Sequence, residues 1–150
     1  MEIALAEARA AAARGEVPVG ATVTDATGAV LARAGNEVEA RRDPSAHAEM
    51  LALRAAAAAT GEKVLPEATL WVTLEPCAMC AAAASLFRLR RVVFGAYDPK
   101  GGGVEHGPRL FTQPTCHHAP EVVGGVRESE AGALLRDFFA RLRGAGRGAG

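Results

Sequence analysis

The chain has 150 residues, of which 49% are hydrophobic and 23% charged, the balance of an ordinary globular protein with room for one core and not two. That composition excludes a disordered tail, a collagen-like chain and a disulfide-dense miniprotein. The 17 Lys+Arg offset the 17 Asp+Glu, so no overall field draws the chain to nucleic acid or membrane, and any polyanion must be met by a local patch. Three cysteines are too few and odd in number for a disulfide framework. The opening Met1-Glu2-Ile3 places an acid where a secretory leader carries a base, and no apolar run reaches the ~18 residues of a membrane span. These features give the expectation of one domain over residues 1–150, cytoplasmic and away from the membrane.

In chain order, the alanine-rich residues 2–14 predict an amphipathic helix stopped by Gly15. Residues 19–25 and 29–34 predict two strands joined by a turn at Ala26-Thr27-Gly28. Asp43-Pro44-Ser45 offers a cap and a first-turn proline for a helix running to Thr60-Gly61. Residues 68–74 predict a strand, Pro76 opens a helix to about Leu89, and residues 91–96 predict a buried strand. The Gly- and Pro-rich residues 97–120 predict a functional loop. A short strand at Glu121–Val123, a helix from Glu128 to Arg143 and a frayed tail over 144–150 complete the chain. Strands alternating with helices imply an α/β protein with a partly parallel sheet covered on both faces.

Cys77-Ala-Met-Cys80 falls at the start of a predicted helix, where the spacing puts both thiols on one face and the positive helix end favours thiolate. Cys-x-x-Cys alone leaves a metal site, a redox dithiol and two inert buried cysteines all open. His47-Ala48-Glu49, at the start of another helix, changes the balance. One His and two Cys make three zinc ligands with a fourth position for water, as in a catalytic site, and Glu49 stands beside them as a proton shuttle.

The pairing H-x-E with P-C-x-x-C is the known signature of the zinc deaminases. The chain resembles the bacterial tRNA-specific adenosine deaminases over nearly its whole length. The resemblance is carried by Gly15-Glu-Val-Pro-Val-Gly-Ala21, Asn36, Asp43-Pro-Ser-Ala-His-Ala-Glu-Met50, Thr73-Leu-Glu-Pro-Cys-Ala-Met-Cys80, Arg91-Val-Val-Phe-Gly-Ala96, Asp98-Pro-Lys100 and the final helix with Phe138-Phe139. It implies a cytidine-deaminase-like three-layer α/β/α sandwich on a mixed five-stranded sheet, and a homodimer. It also implies zinc-dependent hydrolysis of adenosine to inosine at the wobble position, 34, of a tRNA anticodon loop. By residue, it implies zinc on His47, Cys77 and Cys80, proton transfer by Glu49, and substrate contacts at Asn36, Asp98 and Lys100; Ala48 and His118 are further substrate-contact candidates.

Two other readings stand beside it: a deaminase of the same fold acting on a free base or nucleoside such as guanine or cytosine, and a non-catalytic zinc-binding RNA module. Glu49 beside an open zinc position argues against the second. Cys116-His117-His118 is read as an ordered loop, since consecutive residues rarely converge on one ion. Gly101-Gly102-Gly103 lacks the order of a phosphate loop. Arg88, Arg90, Arg91, Arg136, Arg141, Arg143 and Arg147 are open to reading as phosphate contacts or as solvated faces, and Phe138 and Phe139 are read as core, with the alternative that one of them lines the RNA groove.

Overall fold

The structure, a computed structural model, describes residues 1–148, with side chains described as far as Gly146. Five strands form one sheet: β1 (Gly20–Thr24), β2 (Val30–Gly35), β3 (Thr69–Leu74), β4 (Arg91–Ala96) and β5 (Glu121–Val123). Their order is β2-β1-β3-β4-β5. β1 is antiparallel to β2 and β3, while β4 runs parallel to both β3 and β5. The sheet is therefore mixed, as expected.

α1 (Glu2–Ala13) and α5 (Glu128–Gly148) pack together on one face. α1 turns its buried Ala4, Leu5, Ala8 and Ala11 inward, and glycines on the strands let it lie directly on the sheet. A Cβ at Gly20 would come within 2.0 Å of the Ala4 carbonyl oxygen. α3 (Ala48–Thr60) and α4 (Ala78–Leu86) pack against each other, and α3 covers β1, β2 and β3. The main core lies beneath them, with Ala48, Ala52, Leu53 and Ala56 set against Val23, Leu70, Val72, Val92 and Phe94. This is the α/β/α arrangement.

Four details depart from the sequence reading. The Asp43-Pro44-Ser45 segment does not open α3. The Asp43 carboxylate accepts both the Ser45 N–H (2.8 Å) and hydroxyl (2.7 Å), closing a turn, and the helix starts at Ala48 with an extended His47 as its cap. A short helix, α2 (Val38–Arg41), intervenes. α4 starts after a Cys77 cap and ends at Leu86, not Leu89. Finally, α5 runs past Arg143 to Gly148, so the segment read as a frayed tail is helical as far as it is described; Ala149 and Gly150 lie outside the described residues.

Candidate metal centre and catalytic cleft

β3 ends at Leu74, and the chain passes through Glu75-Pro76 into Cys77, the cap of α4. His47 is the cap of α3. Both caps are extended, at φ −73° and ψ 149° for His47 and φ −69° and ψ 174° for Cys77, so both side chains project past the helix ends toward one point. Cys80, one turn into α4, joins them. His47 Nδ1 lies 3.6 Å from Cys77 Sγ and 3.5 Å from Cys80 Sγ, and the three donor atoms lie within 4.8 Å of one another. A tetrahedral zinc with its usual Zn–S and Zn–N bonds sets N···S edges of about 3.6 Å. The donor set and its spacing fit zinc with three protein ligands.

The electrostatics agree with a site built for a cation. Hydrogen bonding from Cys80 holds the Cys77 thiol down at about 4 against the opposing effect of burial, with His47 adding to the lowering. Cys80 is pushed far up by its bond to Cys77, by burial and by Glu49. His47 is raised, chiefly by its bond to Cys77.

Glu49, one residue into α3, is 4% exposed. Burial pushes its carboxyl above the ordinary range, although its own backbone N–H, His47 and the Cys80 thiol pull the other way. A carboxyl raised by burial is one that can hold a proton between transfers.

These groups line a cleft of about 620 Å³, within the range of small-molecule sites. Asn36, His47, Glu49, Cys77 and Asp98 all face it, and Phe138 and Leu142 of α5 supply an apolar wall. Phe138 is thus a half-buried cleft residue and Phe139 is exposed at 41%, so neither is a core residue, and Phe138 takes the cleft-lining place that was the alternative. Ala48 is fully buried, and its N–H is taken by the Asn36 side chain at 2.8 Å. Lys100 lies outside the cleft, on an adjoining depression shared with Asp98, Tyr97 and Phe139.

His118 does not reach the cleft. Its Nε2 meets the Leu89 carbonyl oxygen at 2.6 Å, beyond the far end of α4, where the His118 carbonyl also accepts from Ser85 Oγ at 2.6 Å. Its role within this chain is to fix the 116–120 segment.

Two cleft residues lie within segments that carry the resemblance, yet were given no role of their own. Glu16, 2% exposed, accepts the N–H groups of Glu39 (2.8 Å) and Ala40 (2.9 Å) and so anchors α2. Glu75, also 2% exposed, is pushed up by burial. The Asp98 N–H, the His106 ring and further backbone donors outweigh that and hold it below the usual range. The partners of both acids are mainly backbone N–H groups far along the chain, so nothing in their neighbouring residues announces them.

Residues 1–96 match the cytidine and deoxycytidylate deaminase zinc-binding region, a span that holds His47, Glu49, Cys77 and Cys80. The chain is 54% identical over 143 residues to a tRNA-specific adenosine deaminase of Agrobacterium fabrum, covering 95% of this chain and 93% of the relative. The chain belongs to the tRNA-specific adenosine deaminase family, within the cytidine and deoxycytidylate deaminases. A solved structure from work on A-to-I editing by tRNA:A34 deaminases superposes with a TM-score of 0.88 at 55% identity, covering 90% of this chain and 97% of that one. A guanine deaminase from Nitrosomonas europaea shares the fold at a TM-score of 0.80 but only 26% identity, over 93% of this chain and 82% of that one. The deaminase family is zinc-dependent, and His47, Cys77 and Cys80 are the group able to hold an ion among the described residues.

Proposed function

We propose that this chain is a zinc-dependent hydrolytic deaminase that converts adenosine to inosine at the wobble position of tRNA. The observation that carries the reading is the His47–Cys77–Cys80 group beside the buried Glu49 carboxyl on a cleft of about 620 Å³. High identity to tRNA-specific relatives supports the substrate.

His47 Nδ1 and the sulfurs of Cys77 and Cys80 would hold the zinc. When bound, zinc lowers the pKa of a water from 15.7 toward ~7 and so makes a nucleophile available at neutral pH. Glu49 would carry two protons in turn, the first from the attacking water to a ring nitrogen and the second from the newly added hydroxyl to the amine, which departs as ammonia. Asn36 presents its amide to the base, and Phe138 and Leu142 offer the apolar face against which an unstacked base lies. Asp98 borders the entry, with Lys100 beside it. An anticodon loop lets the adenosine leave its stack at lower cost than a duplex would. Zero net charge keeps phosphate contacts local, with Lys100, Arg141 and Arg143 as the cations offered; the side chain of Arg147 lies outside those described.

In this reading the enzyme is a single-domain cytoplasmic homodimer. Leu86 on α4, 76% exposed, supports a partner surface, and His118, remote from its own cleft, lies on the same side at the end of α4. No helix among the described residues is long and apolar enough to cross a membrane.

The test is deamination of an anticodon stem-loop against free adenosine and free guanine, assayed as inosine and xanthine. Remote contacts to the loop serve to align the base, so truncation to the nucleoside costs kcat as well as affinity. The expected result is turnover of the stem-loop and almost none of the free compounds, with a shallow salt slope corresponding to ~2–4 phosphates. Rapid turnover of guanine with an untouched stem-loop would replace this reading with the free-base one.

A further inference from the structure

The loop that follows β4 is gathered onto one buried group. Glu75 Oε1 accepts the Asp98 N–H at 3.0 Å and meets His106 Nδ1 at 2.7 Å. Its Oε2 accepts the N–H groups of Val104, Glu105 and His106 at 3.2, 3.0 and 3.1 Å. The Glu75 side chain has no exposed surface. One carboxylate therefore pins both stems of the loop, at position 98 and at 104–106, and leaves 99–103 as a closed span between them.

The span itself is pressed against the metal centre's own backbone. The Gly103 N–H donates to the Pro76 carbonyl at 2.8 Å, and the Gly102 N–H to the Asp98 carbonyl at 2.8 Å. A Cβ at Gly102 would sit 2.3 Å from Glu75 Oε2, and one at Gly103 would sit 2.5 Å from the Ala78 nitrogen. The glycine run is required by this approach, not by a phosphate. Asp98 and Gly101 are thereby set on the cleft wall, with the Lys100 and Gly101 N–H groups bonded to Asp98 Oδ1.

We infer that Glu75 is a positioning residue for substrate recognition: its carboxylate shapes the Asp98–His106 loop into the wall of the cleft and so sets how the nucleotides around the target base are held. This rests on the RNA-deaminase reading above. Five donors converging on two oxygens need a carboxylate. An amide of the same shape keeps one acceptor oxygen and turns an NH₂ group toward backbone donors, so one stem of the loop is released.

The experiment compares Glu75→Gln and Gly102→Ala with the wild type. Readouts are kcat and KM for the stem-loop, zinc per chain, and amide hydrogen exchange at Asp98, Val104, Glu105 and His106. Gly102→Ala reaches the same contact from the loop side and keeps the question decidable if Glu75→Gln folds poorly. Loss of charge-assisted hydrogen bonds predicts a rise in KM of ~10–100-fold in each variant, larger than the fall in kcat, with zinc retained and those amides exchanging faster. A merely structural role would lower the yield of active, zinc-loaded protein without moving KM. Unchanged KM in either folded variant, or zinc loss that accounts for the lost activity, overturns the assignment. If the wild type ignores the stem-loop, the functional reading fails; the exchange data still decide whether Glu75 shapes the loop, and unchanged exchange refutes that as well.

Discussion

The Asn36 side-chain carbonyl accepts the Ala48 backbone N–H at 2.8 Å, which fixes the orientation of an amide on the cleft wall. The Asn36 backbone is held too, its N–H by the Val19 carbonyl and its carbonyl by Arg14 Nη2. With Oδ1 engaged on the first turn of α3, Nδ2 is the group left to donate to the substrate. Asn36→Asp keeps the acceptor for Ala48 but removes that donor and adds a charge near Glu49. Its kcat/KM should fall by ~10–100-fold with Tm close to wild type. Asn36→Ala strands the Ala48 N–H as well, so Tm should fall together with activity. Paired steady-state kinetics and thermal melts separate the two.

Glu49 has no part in the proposed ligand set, and its place on α3 is held by packing. Glu49→Ala should therefore retain one zinc per chain and the native circular dichroism spectrum. Its turnover should fall by more than the ~10²–10⁴ typical of a general acid–base group, because one carboxyl serves successive proton transfers. Near-normal turnover would remove Glu49 from the mechanism.

Metal analysis should give about one zinc per chain. Cys80 is fully buried, and Cys80→Ala leaves two ligands, too few for a stable site. Zinc content should fall well below one, and chelator, expected to lower the Tm of the wild type, should leave that of the variant unchanged. Unchanged zinc, or iron in its place, would overturn the ligand set.

The α1–α5 contact carries an acid-sensitive tie. Arg127 bonds to Glu2 and also to both carboxylate oxygens of Glu130, at 2.9 and 2.7 Å. The Arg127 hydrogen bonds hold both carboxyls below their ordinary value of 4.5. Depressed carboxyl pKa values stabilise the fold above pH 4.5, and that contribution fades as pH falls through the folded values. Arg127→Gln should lower Tm slightly at pH 7 in low salt, and the difference from wild type should narrow as pH falls below 4.5. A pH-independent difference would show that the effect comes from packing.

The grouping of His47, Cys77 and Cys80 beside Glu49 was legible because each lies in a short segment whose spacing is itself the chemistry. Helix α1 and strands β3 and β4 were legible from alanine content, apolar runs and the Gly15 stop. What escaped depends on partners distant in the chain. Asp43 and Ser45 have cap chemistry, but the same carboxylate closes a turn, and only the fold decides between the two. Four residues of α2 are too few to show periodicity and rest on Glu16, more than twenty positions earlier. Glu75 is an acid beside a proline until Val104, Glu105 and His106 arrive on it. His118 sits in a polar loop open to reading as substrate-facing, yet its ring is tied to Leu89, and no local pattern encodes that.

The sole tryptophan of the chain sits in β3 with its indole N–H on Thr24 Oγ1 of β1, at 3.0 Å, in register beside Thr22. It is absent from the residues lining the cleft. Intrinsic tryptophan fluorescence therefore reads the pairing of β1 with β3 as a single built-in optical probe, without labelling. Changes in its emission track the integrity of the sheet, so denaturation can be followed separately from anything that happens at the metal.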